Sequence, residues 1–167
     1  MVSIEYLNDT TDVGTITVDG KEKWNNYHTF ALESGIFVKN SILEDYFFAV
    51  TCTSLHTLIP LLDGRTLELG ELIAEFEQGK ENYAYSVNQK TFELEAGKIV
   101  WGGVTRKDAQ MVRVHLDNNE YVDTTPDHRF IMRDGSEVEA QHLKSGDSLM
   151  PLYRRPSETW GYPNNYE

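Results

Sequence analysis

The sequence predicts an all-β protein with one short helix. Two observations lead to this prediction. Short runs in which apolar and polar residues alternate recur along most of the chain, and Gly-, Asp- and Asn-containing turn signals separate them. Only one stretch, residues 70–78, has apolar residues at helical spacing. Many short strands with frequent turns are typical of sandwich-like or closed β-domains.

The first strands are predicted in the N-terminal part of the chain. GTITV at 14–18 alternates with period two and is followed by the turn signal Asp19-Gly20. FALESGIFV at 30–38 predicts two short strands around a turn in which Gly35 takes a positive φ. LIPLLDGRTLEL at 58–69 predicts a second hairpin, turned at Asp63-Gly64.

The helix is predicted at GELIAEFEQ, residues 70–78. Leu72, Ile73 and Phe76 share one helical face, and Gly79 is a C-terminal stop signal. We interpret this apolar face as core. Further strands are predicted at 82–87, 91–105 and 148–153, with hairpins at 111–125 and 129–140 and a terminal loop at 154–167.

Composition narrows the range of functions. The 167 residues suit a single domain, and their net charge of −12 argues against nucleic acids and anionic membranes as partners. The sequence contains no apolar run long enough for a membrane span and no secretory signal at its start. We therefore expect a cytoplasmic protein, from a bacterial or phage-infected host, that acts as a monomer without a required partner.

Cys52, the one cysteine of the chain, is the main candidate for chemistry. The five histidines have no cysteine partners and no paired spacing, so no metal site is expected, and no phosphate loop or serine elbow is present. A single thiol is either an inert core residue or a nucleophile. A thiol can attack the carbonyl that precedes it, which would convert the Thr51–Cys52 amide into a thioester.

That reaction needs an ionised thiol, an acid for the leaving nitrogen and donors for the oxyanion. Thr125 and His128 flank a Thr-Pro-Asp turn that can direct a hydroxyl and an imidazole at one point, with Asp127 as an orienting residue. A second reaction is available to Asn40, whose side-chain amide can attack its own carbonyl and break the bond to Ser41.

These residues together resemble the Hint (hedgehog/intein) family with its two halves in reversed order. The run CTSLHTLIPLLDGRTLELGELI, which opens on Cys52, and the T-x-x-H element Thr125–His128 are similar to the N-terminal half of an intein. YHTFALESGIFVKN, which ends at Asn40 before Ser41, is similar to the C-terminal half.

The resemblance implies a single horseshoe-shaped Hint domain over 1–167 that needs no cofactor. Its parts would be a C-intein portion (1–40), a junction segment (41–51), an N-intein portion (52–153) and a tail (154–167). Cys52 would be the nucleophile, activated with Thr125 and His128; Ser41 would accept the acyl group, and Asn40 would cyclise with help from His28. Excision of residues 41–51 as a cyclic peptide would follow, and no nuclease activity is expected.

Two positions depart from the family pattern. Lys39 occupies the place of the usual histidine before the terminal asparagine, and it is either a partner of the Asn40 carbonyl or a solvated strand lysine. A strand aspartate that assists the thiol aligns with Thr15. We therefore expect slow cyclisation of Asn40. Two alternatives remain: a Hint domain that only cleaves at one junction, and an inert acidic β-domain that binds a protein partner.

Overall fold

A computed structural model describes residues 3–19, 29–39, 52–88 and 91–152. The described chain is mostly β-strand with one α-helix, so the predicted all-β class is confirmed. The terminal loop predicted at 154–167 lies outside the described residues. The elements are β1 (Ser3–Asp19), β2 (Thr29–Ala31), β3 (Phe37–Lys39), β4 (Thr53–Ser54), β5 (Leu58–Pro60), β6 (Thr66–Glu68), α1 (Leu69–Glu77), β7 (Tyr83–Val87), β8 (Leu94–His115), β9 (Tyr121–Thr124), β10 (Arg129–Ile131) and β11 (Glu137–Glu139), followed by a 3₁₀ turn at Ala140–His142.

The strands form antiparallel sheets that mix the two ends of the chain. One sheet has the order β1-β4-β9-β8-β7, and β1 also pairs with β8. A second sheet has the order β11-β10-β3-β2, and β5 pairs with β6 in a separate hairpin. Strands from the segments before and after residues 41–51 therefore share both larger sheets.

The strands β1 and β8 are longer than the sequence pattern predicts. The pattern placed the first strand at 14–18 and separated 91–105 from the hairpin strand that begins at Met111. Instead, β1 and β8 pair from Ser3 opposite His115 to Asp19 opposite Lys98, with several register shifts along the way. The first part of β1 is largely exposed and lacks apolar alternation. Its backbone is satisfied by pairing with β8 rather than by packing on a core, which periodicity does not detect.

The short hairpins and the helix match their sequence signals. Gly35 and Gly64 have φ values of 89° and 90°, in the left-handed region that glycine adopts without a Cβ clash. Helix α1 begins after a capping box between Glu68 and Glu71, which satisfies backbone N–H groups at its first turn. Leu72 of this helix is fully buried, as predicted for the core face.

The main core lies between the sheets and α1, and its largest buried side chains include Phe30 and Phe130. A smaller apolar cluster contains Cys52 together with Val13, Ala109 and Met111. This second cluster packs between β1 and β8, beside β4 and β9, and it is the environment of the only thiol. No helix in the described ranges is long and apolar enough to cross a lipid bilayer.

Gly14 lies where β1 approaches β8 most closely, and its replacement tests that approach. An added Cβ would lie 2.7 Å from the carbonyl oxygen of Gly103 and 3.0 Å from Cδ1 of Ile73. We expect Gly14→Ala to lower the free energy of unfolding by about 1–3 kcal/mol, as over-packing does, measured by urea denaturation. In the matched control Gly70→Ala the nearest atom is 3.5 Å from the new Cβ. That helical substitution should be neutral or stabilise by up to about 1 kcal/mol. Equal stability of the two variants would contradict the close approach.

Candidate functional site

Cys52 immediately precedes the two-residue strand β4, which lies between β1 and β9. Thr53 of this strand is opposite Gly14 of β1 and opposite Thr124 of β9. The Cys52 side chain is fully buried. Pairing on both sides of β4 therefore fixes the backbone that carries the thiol.

Two threonines hold the peptide groups of Cys52. Its carbonyl oxygen accepts hydrogen bonds from Thr124 Oγ1 at 2.8 Å, from Thr125 Oγ1 at 3.2 Å and from the Thr125 backbone N–H at 3.0 Å. The Cys52 backbone N–H donates to Thr125 Oγ1 at 3.3 Å. This nitrogen belongs to the Thr51–Cys52 amide. The structure thus brings Thr125 into direct contact with the linkage that the sequence singled out.

The hydroxyl in contact with the sulfur is that of Thr105. Its Oγ1 is 2.6 Å from Cys52 Sγ and also donates to the Val13 carbonyl at 3.3 Å. Thr15, the position aligned with the family's thiol-assisting aspartate, instead directs its hydroxyl at the Ile16 carbonyl. The thiol-contacting residue is therefore on β8, not on β1.

The surroundings of the thiol affect its ionisation in opposite directions. Burial raises the pKa of Cys52, and the hydrogen bond from Thr105 and the positive charge of Arg106 partly offset this effect. The nearby Asp127 carboxylate raises the pKa further. In the resting protein the thiol form therefore predominates at neutral pH.

Asp127 and Arg106 form an ion pair beside this thiol, with 2.8 Å between Oδ2 and Nη2. Burial raises the pKa of Asp127, but the Thr125 hydroxyl and Arg106 outweigh burial and leave it below its ordinary value. Asp127 is therefore an anion that links β8 to the turn between β9 and β10. This contact fits the orienting role predicted for Asp127.

His128 ends that turn, and its imidazole is fully buried. The His128 backbone N–H donates to the Thr125 carbonyl at 3.0 Å, which closes the predicted Thr-Pro-Asp-His turn. The ring packs edge-on against Phe130, and neither ring nitrogen has a hydrogen-bond partner among the described residues. Burial lowers the pKa of His128 to about 4, against a smaller opposing effect of Asp127. The imidazole is therefore neutral at pH 7.

Lys39 ends β3 and pairs with the Glu137 carboxylate of β11. Arg129 also reaches Glu137, at 3.3 Å. Only 16% of the Lys39 side chain is exposed, so it is not a solvated strand lysine. The other predicted site residues, His28, Asn40, Ser41 and Thr51, lie outside the described residues.

The sequence pattern missed four residues that contact the predicted site residues: Thr105, Arg106, Thr124 and Glu137. Each comes from a strand or turn distant in sequence from the residue that it contacts, so no local motif marks it. Across the described ranges, no three His, Cys, Asp or Glu side chains are grouped in a way that could hold a metal ion.

Part of the chain is similar to three much larger proteins. It is 41% identical over 108 residues to a DNA gyrase subunit of Synechocystis sp., a match that covers 65% of this chain and 10% of that protein. It is 28% identical over 115 residues to reverse gyrase of Pyrococcus horikoshii, covering 67% and 7% of the two chains. A third match, to elongation factor 2 of Methanopyrus kandleri, is 28% identical over 118 residues and covers 59% and 9%. The chain therefore spans a tenth or less of each relative. No family model matches it.

The buried neutral imidazole of His128 predicts a specific loss of stability in acid. Its pKa is about 4 in the folded protein and 6.5 ordinarily, so below pH 6.5 the unfolded chain binds a proton that the folded chain does not. Stability should therefore fall between pH 6.5 and 4, by about 3 kcal/mol from this group alone. Above pH 6.5 the group makes no pH-dependent contribution.

Urea denaturation of the parent and of His128→Leu at pH 7 and at pH 4 isolates this contribution. The variant lacks the titrating group, so its free energy of unfolding should fall by about 3 kcal/mol less than that of the parent. All other titrating groups are common to both proteins. Parallel pH dependences would show that the imidazole is not held neutral by burial.

Proposed function

We propose that this chain is a self-processing protein-splicing domain of the Hint type that acts on its own residues 41–51. The observation that carries the proposal is the contact of the Thr125 hydroxyl with the nitrogen of the Thr51–Cys52 amide, at 3.3 Å. The same amide nitrogen belongs to the residue whose thiol would attack the bond. Nucleophile, leaving group and a hydroxyl able to transfer a proton thus lie in one buried cluster.

The first step is the amide-to-thioester shift. Cys52 Sγ attacks the Thr51 carbonyl carbon, a C–S bond forms, the C–N bond breaks, and the proton lost by the thiol ends on the Cys52 nitrogen. His128 supports this transfer because a neutral imidazole can accept a proton on one nitrogen and donate from the other. Its lowered pKa makes the protonated form a strong acid toward a departing nitrogen.

Two further steps complete the reaction. The Ser41 hydroxyl attacks the Thr51 thioester, which returns the thiol of Cys52 and closes residues 41–51 into a ring through an ester. The Asn40 side-chain nitrogen then attacks its own carbonyl, forms a succinimide and frees the Ser41 amine, which takes the acyl group from the ester oxygen. His28 and Lys39 are the acid–base candidates for this step, and no external co-reactant is consumed.

The shared sheets support the proposed division of the chain. Strands from residues 3–39 pair with strands from 52–152 in both larger sheets. Thus β3, which ends one residue before Asn40, lies beside β10, which begins one residue after His128. This arrangement supports a single Hint domain built from a C-intein portion (1–40) and an N-intein portion (52–153).

The three relatives support an excisable segment over a gyrase-like activity. Their names denote different activities, in DNA topology and in translation, yet each shares with this chain a segment that makes up a tenth or less of its length. A segment common to such different proteins is better explained by a chemistry of its own than by the activity of any one host.

Intact-mass spectrometry of the purified chain over time tests the proposal. We expect fragments 1–40 and 52–167 together with a peptide of residues 41–51 that is one water lighter than its linear form. Cys52→Ala should abolish cleavage at 51/52 and the cyclic peptide, while slow cleavage at 40/41 persists. Asn40→Ala should block cleavage at 40/41. His128→Ala should slow cleavage at 51/52 on the order of 10²–10⁴-fold, as the loss of a general acid–base group does.

The matched control is His142→Ala, because the His142 side chain is 69% exposed and distant in sequence from the proposed site residues. This variant should process at the parent rate. Linear fragments without the cyclic peptide would favour the alternative in which the domain only cleaves. An intact mass that neither time nor substitution changes would leave the inert acidic β-domain as the better account.

Lys39→His tests the expected slow step at Asn40. The Lys39 ammonium is held by Glu137, whereas a histidine could exchange a proton with the Asn40 amide near neutral pH. We expect cleavage at 40/41 to accelerate on the order of 10²-fold, measured by the appearance of fragment 1–40 in a Cys52→Ala background. Lys39→Gln, which removes the ion pair without adding an acid–base group, should not accelerate it. A Lys39→His rate equal to that of Lys39→Gln would contradict this explanation.

A further inference from the structure

Thr105 is the extra residue of a β-bulge in β8. Val13 of β1 is opposite Arg106 and Gly14 is opposite Val104, so the register skips Thr105. A bulge turns a side chain out of the regular alternation and is often found next to active sites. Here it directs the Thr105 hydroxyl to Cys52 Sγ, at 2.6 Å.

The hydroxyl of Thr105 can serve the sulfur in both of its protonation states. A hydroxyl has one donor and two acceptor positions and can rotate between partners. While it donates to the Val13 carbonyl at 3.3 Å, it can accept the hydrogen of the thiol. After the thiol loses its proton, the same O–H can rotate to donate to the anionic sulfur.

We propose that Thr105 is the positioning residue of the Cys52 thiol: it orients the thiol at rest and donates a hydrogen bond to the thiolate that attacks the Thr51 carbonyl. The proposal rests on the proposed splicing function and assigns this role to a residue outside the family motifs. Thr105 neither gains nor loses a proton overall. The proton of the thiol ends on the Cys52 nitrogen, and only the hydrogen bond of Thr105 changes its direction.

The remaining surroundings of the sulfur explain why this hydrogen bond matters. On the side of β1 and the body of β8 the thiol packs against Val13, Ala109 and Met111, which are apolar. The charged neighbours are Arg106 of the same bulge and Asp127 of the β9–β10 turn, and they act in opposite directions on the pKa of the thiol. They also pair with each other, at 2.8 Å, so much of their effect on the sulfur cancels. The Thr105 hydroxyl is thus the closest group that favours the thiolate.

Two substitutions separate hydrogen bonding from packing. Thr105→Val keeps the branched shape and removes the hydroxyl, and Thr105→Ser keeps the hydroxyl and removes the methyl group. Both are made in the full chain with Asn40→Ala and Ser41→Ala, which stops the reaction after the thioester. Dithiothreitol then cleaves the thioester, and the masses of fragments 1–51 and 52–167 report its formation as a function of pH.

We expect Thr105→Val to cleave about tenfold more slowly than the parent at pH 7, with the midpoint of its pH–rate profile about one unit higher. The difference should shrink in alkaline solution, where the thiol ionises without help. Thr105→Ser should restore the parent midpoint. A uniform loss of rate in Thr105→Val at every pH, without a shift of the midpoint, would show a merely structural role and overturn the proposal.

A second measurement reads the thiol directly, whether or not the chain cleaves. Because Cys52 is the only cysteine, labelling with ¹³Cβ-cysteine gives one resonance whose shift follows thiol ionisation. Thr105→Val should titrate at higher pH than the parent and Thr105→Ser. If Thr105→Val does not fold, Thr105→Ala takes its place.

The two readouts distinguish failure of this inference from failure of the proposed function. A parent that does not cleave, with a titration that moves in Thr105→Val, would refute splicing and retain the thiol contact. A parent that cleaves, with neither titration nor pH–rate midpoint changed in Thr105→Val, would refute the role of Thr105 alone.

Discussion

The antiparallel pairing of β1 with β8 is the constraint on which the site depends. It joins residues near the start of the chain to a strand that lies well beyond Cys52 in sequence, and it runs from Ser3–His115 to Asp19–Lys98. The short strand β4 pairs with β1 near the middle of this ribbon, and β9 covers its other edge. A register shift in the same region produces the bulge at Thr105. The position of the thiol and the identity of its nearest hydroxyl thus depend on one ladder of backbone hydrogen bonds.

Around that ladder the protein combines groups that stabilise a fold with groups that weaken it. The carbonyl of Cys52 has three donors, from Thr124 and Thr125, which is more than a buried carbonyl needs. The imidazole of His128 is buried without a partner among the described residues, an arrangement that costs free energy. A rigidly held peptide group next to an unsatisfied proton carrier is typical of sites where reactivity is favoured over stability.

Local signals predict local structure well in this chain. The hairpins turned at Gly35 and Gly64 and the helix that begins at Leu69 follow from turn residues and apolar spacing, which act over a few residues. The approach of Thr125 to Cys52 was reached through family resemblance, since no spacing predicts a contact between residues that far apart. The strand at Ser3 to Thr11 escaped because it is polar and exposed, and the contacts of Thr105 and Glu137 escaped because tertiary register sets them. The described residues do not include the predicted partners His28, Asn40 and Ser41.

The interleaving of the two chain ends has a consequence for any break between residues 40 and 52. Severing the covalent connection there would leave β1 bound to β8 and β4, and β3 bound to β10, by the same ladders and the same apolar interior as before. The two pieces would co-purify as a one-to-one heterodimer under native conditions and separate only in a chaotrope. A gel run without denaturant would therefore not distinguish a nicked molecule from a whole one.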